Sequence, residues 1–179
     1  MSRSFLQQVE NVRSSRLLSL SRKNNRKPLQ IENSPPPTKS AGLYWIYTSY
    51  DLDDLQNCDA CSDVGAIDIA PLVTFHKGLH NICTIEQEGF TLVYNCMAGS
   101  SCGLRGRIHQ HFNGGKGTGC LSINKRLSIN DLSRWRVSYV TLETNGETTP
   151  DVPTSYNHHA KNLERIWRLE YGWPLLCKI

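Results

Sequence analysis

Apolar residues along this chain change period several times, and each change marks a predicted element. Leu6, Val9, Val12, Leu17 and Leu20 stand among basic and polar residues, which predicts a basic amphipathic helix within residues 1–27. Such a helix is either an arm that contacts DNA or a brace packed on the core. Residues 33–40, NSPPPTKS, predict a stiff extended linker, because three prolines forbid helix and sheet pairing. Gly42 to Tyr47 and Phe90 to Cys96 are rich in aromatic and branched residues and predict two strands. Between them, residues 50–88 are acidic, carry a short apolar run from Ile67 to Phe75, and read as a long insertion. Gly99 to Gly103 is a turn. Leu104, Ile108 and Phe112 recur every four residues and predict a helix that the glycine-rich stretch 113–119 stops. Residues 134–142 alternate, with Trp135, Val137 and Tyr139 on one face, and predict a third strand. Beyond a turn-rich loop at 144–154, Ala160, Leu163, Ile166 and Trp167 form the stripe of a helix over 157–171 that Gly172 and Pro174 end. There is no internal repeat. The sum predicts an α+β fold: a small central sheet of three or more strands, mixed or antiparallel, flanked by helices. Residues 1–40 are expected to form an N-terminal arm and linker, and residues 41–179 one domain with the insertion at 50–88.

Composition narrows this picture without changing it. A chain of 179 residues suits one domain with a tail, and 39% hydrophobic with 20% charged residues excludes a wholly disordered chain. No run approaches 18 apolar residues, so no membrane span is expected, and the N-terminus lacks the apolar centre of a secretory signal. A cytoplasmic protein is the expectation. Seven cysteines, an odd number in a chain too long to need a disulfide framework, read as reduced thiols.

The formal net charge of +4 matters less than its distribution. Residues 1–27 hold seven Lys and Arg against Glu10 alone, and residues 101–139 hold seven against Asp131 alone. Residues 51–88 hold eight Asp and Glu against Lys77 alone. A nucleic-acid partner would be steered to the two basic regions.

The order of elements, with Gly42-Leu43-Tyr44 on one strand, Val93-Tyr94-Asn95 on the next, Arg107 and His111 on a helix and Glu164 on a late helix, resembles the GIY-YIG endonucleases. The four-residue spacing of Arg107 and His111, and the prolines before Gly42, resemble the restriction-enzyme branch of that family. Cys96 stands where the second half-motif has glycine, and no asparagine follows Pro174. The resemblance spans about residues 41–178. It implies a divalent-metal-dependent DNA endonuclease whose catalytic groups are Tyr44, Tyr94, Arg107, His111 and Glu164, converging on one surface.

Hydrolysis of a phosphodiester needs an activated water, neutralisation of the phosphorane and help for the leaving oxygen. Glu164 is the candidate ligand for magnesium or manganese, at a helix start where the dipole suits a carboxylate. Arg107 offers a permanent cation able to grip two phosphate oxygens. Tyr44 is the expected base, its pKa lowered by the arginine and the metal, with His111 taking its proton, and Tyr94 placing water or phosphate; the two phenols are open to exchange of roles. Arg105, Lys116, Lys125 and Arg126 are the expected contacts to DNA phosphates. Cutting both strands of a palindrome calls for two sites, hence a homodimer.

Two other readings stand beside this one. Cys58, Cys61, His76 and His80 have the ligand types and pair spacings of a structural zinc site, with Cys83 as a substitute ligand. The chain is alternatively a nucleic-acid-binding module without catalysis, with or without that zinc.

Overall fold

The computed structural model describes residues 3–24, 28–115, 117–143, 149–153 and 156–178, with the side chains of 156–159 left aside. The fold is α+β. Its centre is three long antiparallel strands: β3 (Ala41–Thr48), β5 (Phe90–Ala98) and β6 (Trp135–Glu143). These are the three strands that the sequence predicts, β3 and β5 each longer by two residues and β6 shifted by one. Three shorter strands, β1 (Leu18–Ser21), β2 (Gln30–Ile31) and β4 (Glu86–Gln87), complete a sheet in the order β2-β1-β6-β3-β5-β4. β3 is the middle strand and every one of its residues is buried.

The pleat sends alternate β3 residues to opposite faces. Tyr44 and Ile46 join Leu104, Ile108 and Phe112 of α4 (Gly103–Asn113) in one core cluster. Leu43, Trp45 and Tyr47 join Leu163 and Trp167 of α5 (Tyr156–Tyr171) in the other. The two predicted helices therefore cover opposite faces of the sheet. Gly42 permits this closeness: a Cβ there would lie 2.0 Å from the Val140 carbonyl oxygen of β6 and 3.1 Å from Leu104.

The N-terminal segment is not an arm. Helix α1 (Arg3–Ser14) buries Leu6 and Val9 against the Trp45 face, and β1 pairs with β6. Leu18 and Leu20 point into the core from a strand, where a single helix is expected from the sequence. Arg13 is buried, held by Glu10 and the Tyr47 hydroxyl, and Trp167 donates to Glu10. The stretch 33–40 is irregular, and its Pro36 carbonyl accepts from Arg105. The acidic insertion holds α2 (Leu52–Gln56), started by an Asp51–Asp54 capping box, and α3 (Ile69–His76). It returns through β4 and a two-residue turn at Glu88 (φ 52°) and Gly89 (φ 77°), the hairpin geometry that needs two positive φ angles. Among the described residues no helix is long and apolar enough to cross a membrane.

Candidate active site

Arg107 and His111 lie one turn apart on α4, and both reach the phenols that the sheet presents to that helix. The Tyr44 hydroxyl is 2.8 Å from His111 Nε2. The ring of Tyr94 lies 4.6 Å from that of His111 and 6.2 Å from that of Tyr44, centre to centre. Arg107 donates from Nη1 to the Thr118 carbonyl at 3.1 Å and to Gln110 at 2.6 Å, and its charge acts on both phenols. Four of the five residues singled out by sequence thus form one cluster.

Sequence reasoning missed one neighbour of this cluster. Cys96 is the cross-strand partner of Tyr44 and packs against the core cluster that holds Tyr44 and Tyr94. The only sequence signal was its place where glycine is expected.

Hydrogen bonding assigns the protons. The Leu121 backbone N–H donates to His111 Nδ1 at 3.2 Å, so the neutral imidazole carries its proton on Nε2 and donates it to Tyr44. Burial, reinforced by the Arg107 charge, pushes the His111 pKa down to about 3, so the ring is neutral at pH 7. Contrary to the sequence expectation, His111 cannot take the Tyr44 proton in this arrangement, because neither ring nitrogen has a free lone pair. The Tyr44 oxygen accepts from His111. Burial also raises both phenol pKa values well above the ordinary figure; Arg107 pulls the other way and is outweighed. Tyr44 and His111 are fully buried, whereas Tyr94 is 6% exposed and lines a cavity of about 180 Å³. Ile67, Gly119, Arg168, Cys177 and Lys178 form the rest of that wall.

Glu164 arrives from the opposite face. It lies in the middle of α5, not at a helix start, so the dipole gives its charge no support. Its carboxylate reaches the rim of β5, beyond the two residues that β4 covers. There three outward backbone groups are engaged. Val93 O accepts from Leu176, Asn95 N–H donates to Cys177 Sγ, and Asn95 O accepts from Arg168. Arg168 ties this rim together: it also holds the Asn95 side chain, stacks 4.7 Å over Trp173, and pairs with Glu164 Oε1 at 2.5 Å. Burial raises the Glu164 pKa, against the pull of Arg168. A carboxylate has lone pairs beyond the one that Arg168 engages, so the group suits a hard cation that keeps most of its water and takes one protein oxygen.

The remaining sequence candidates are dispersed. Arg126, expected on DNA, is 1% exposed: its guanidinium donates to the carbonyls of Leu121, Asp59 and Ile67 and pins the insertion to the loop after α4. Lys125 is half exposed and pairs with Asp63, and Arg105 is bound to Pro36. Lys116 lies outside the described residues. The four zinc candidates do not meet. Cys58 hydrogen-bonds Arg126, Cys61 accepts from the Asp63 N–H, His76 Nδ1 is 2.7 Å from the Leu175 carbonyl, and His80 is exposed. No group of three or more His, Cys, Asp or Glu side chains is placed to share a metal among the described residues. No protein-family model, no curated protein and no solved structure matches the chain.

Proposed function

We propose that this chain is a divalent-metal-dependent DNA endonuclease, resembling the GIY-YIG enzymes and, among them, the restriction endonucleases. One observation carries the reading. Arg168, paired with Glu164 Oε1 at 2.5 Å, lines the same cavity as Tyr94, whose ring lies 4.6 Å from that of His111, and this joins the cluster on one face of the sheet to the carboxylate at its rim. Two phenols, a guanidinium and a carboxylate gathered near one sheet edge are groups that phosphodiester hydrolysis can use.

Magnesium or manganese bound at Glu164 would supply charge neutralisation and a water of lowered pKa. The chain's own groups divide the rest. Arg107 is partly exposed and places its guanidinium on the scissile phosphate. Tyr94, facing the cavity, orients the attacking water or a phosphate oxygen, the role expected of it, whereas Tyr44 is fully buried and does not act as the base. Tyr44 and His111 are positioning residues: hydrogen-bonded to each other, they back the ring of Tyr94. Seven free thiols suit a reducing cytoplasm, and double-strand cutting would require two protomers to act together.

The test is plasmid DNA incubated with the purified chain and magnesium, beside Glu164→Ala. Nicking or cutting that vanishes in the variant supports the reading, and intact plasmid under magnesium and manganese alike refutes it. A second reading, a DNA-binding module without cleavage, is favoured by the ion pair that already engages Glu164. Binding without cutting by the wild type is its signature.

A further inference from the structure

The basic stretches of the sequence are largely consumed by the fold. Arg13 serves Glu10 and Tyr47, Arg16 serves Asp151, Arg134 serves Asp54 and Ser49, and Arg126 serves three carbonyls. A polyanion must find its cations elsewhere. On α5, Lys161, Arg165 and Arg168 fall within an arc of about 60° at 100° per residue. Ala160, Leu163 and Trp167 anchor the opposite flank in the core and so fix the rotation of the helix. Lys161 and Arg165 are exposed, enter no ion pair with a described residue, and act on Glu164 only through space. Glu170 stands about half a turn away from this arc. The arc ends at the cavity that Tyr94 lines, where exposed Lys178 joins Arg168.

We propose that Lys161, Arg165 and Lys178, continuing from Arg168, form the track that holds the phosphate backbone of duplex DNA beside the cavity. The inference rests on the endonuclease reading and adds where the substrate lies. Like charges at three- and four-residue spacing repel on a free helix, and a row of phosphates removes that repulsion. Phosphates held along the arc would follow α5 to the β5 rim, which brings the next one to Tyr94 and Glu164.

The test measures binding of the full chain to a fluorescent duplex in EDTA by anisotropy across a potassium chloride series. The variant K161S/R165S/K178S spares Arg168, which the rim needs, and K125S/R105S is the comparison. Thermal melting confirms that each is folded. Each lost phosphate contact removes about 0.9 from the slope of log K against log salt. The track predicts a slope lower by about 2–3 and binding weakened at least tenfold near 0.1 M salt for the α5 variant, with a change below about 1 for the comparison. A wild-type slope in the α5 variant overturns the track. Plasmid assays with magnesium separate the two claims. If the wild type cuts and the α5 variant binds and cuts equally well, the track falls and the endonuclease reading stands. If the wild type never cuts but the slope drops as predicted, the track stands and the endonuclease reading falls. A wild type that binds no duplex removes both.

Discussion

His111 titrates far below an ordinary imidazole, and the pH response of the whole fold follows. Its pKa is about 3 folded and near 6.5 unfolded, so between these values the unfolded chain binds a proton that the folded one does not. The contribution of His111 to stability is complete above about pH 6.5 and falls as pH drops toward 3. Urea unfolding at pH 7.0 and pH 4.5 should show the wild type losing about 2–3 kcal/mol more than His111→Gln; equal losses would contradict the assigned protonation. Glu164 works in the opposite sense: its raised pKa means that charge at this site costs stability at neutral pH and less as pH falls. The two tyrosines should separate in the same way. Tyr94→Phe should lower kcat for plasmid nicking by about a hundredfold or more while the fold stays stable. Tyr44→Phe removes the acceptor of the buried His111 Nε2–H and should cost about 1–3 kcal/mol in urea unfolding. Tyr44, Tyr94, Arg107 and His111 were singled out by the resemblance, and short-range rules of strand pleat and helix turn placed them on their elements. Cys96 was not, since only pairing of β3 with β5 puts it beside Tyr44.

At the scale of elements, length decided what was readable. β3, β5, β6, α4 and α5 each run for eight or more residues and display a full period. β1, β2 and β4 have two to four residues, too few to show alternation, and α2 has five. The N-terminal segment was misread for this reason, since Leu6 and Val9 lie on a helix but Leu18 and Leu20 on a strand. A chain beginning at residue 22 lacks α1 and β1, exposing β6 and the Trp45 face, and should fail to unfold cooperatively in urea; a disposable arm would leave the transition unchanged. Arg126 makes the same point about charge. Its sequence context is basic, yet its partners are carbonyls separated by long chain segments, which no local pattern encodes. Arg126→Ala leaves three carbonyls without their donor and should destabilise the fold by about 3 kcal/mol or more, read as a lower urea midpoint.

For the whole molecule, the decisive feature is that α4 and α5 lie on opposite faces of one sheet, yet Arg168, paired with Glu164, lines the same cavity as Tyr94 at the β5 edge. β4 covers only the first two residues of β5, and Arg168 and the C-terminal segment engage the edge beyond them. Sequence order implied convergence on one surface. The structure instead brings a cluster on one face and a carboxylate from the other to a common edge, an arrangement that depends on topology beyond any motif. The most direct test is the initial rate of supercoiled plasmid nicking in magnesium by the wild type and by Arg107→Ala, both shown folded and both shown to bind DNA. Loss of the guanidinium at the scissile phosphate should slow nicking by about 10²–10³-fold. Equal rates for the two proteins, or no nicking by the wild type in magnesium or manganese, would contradict it.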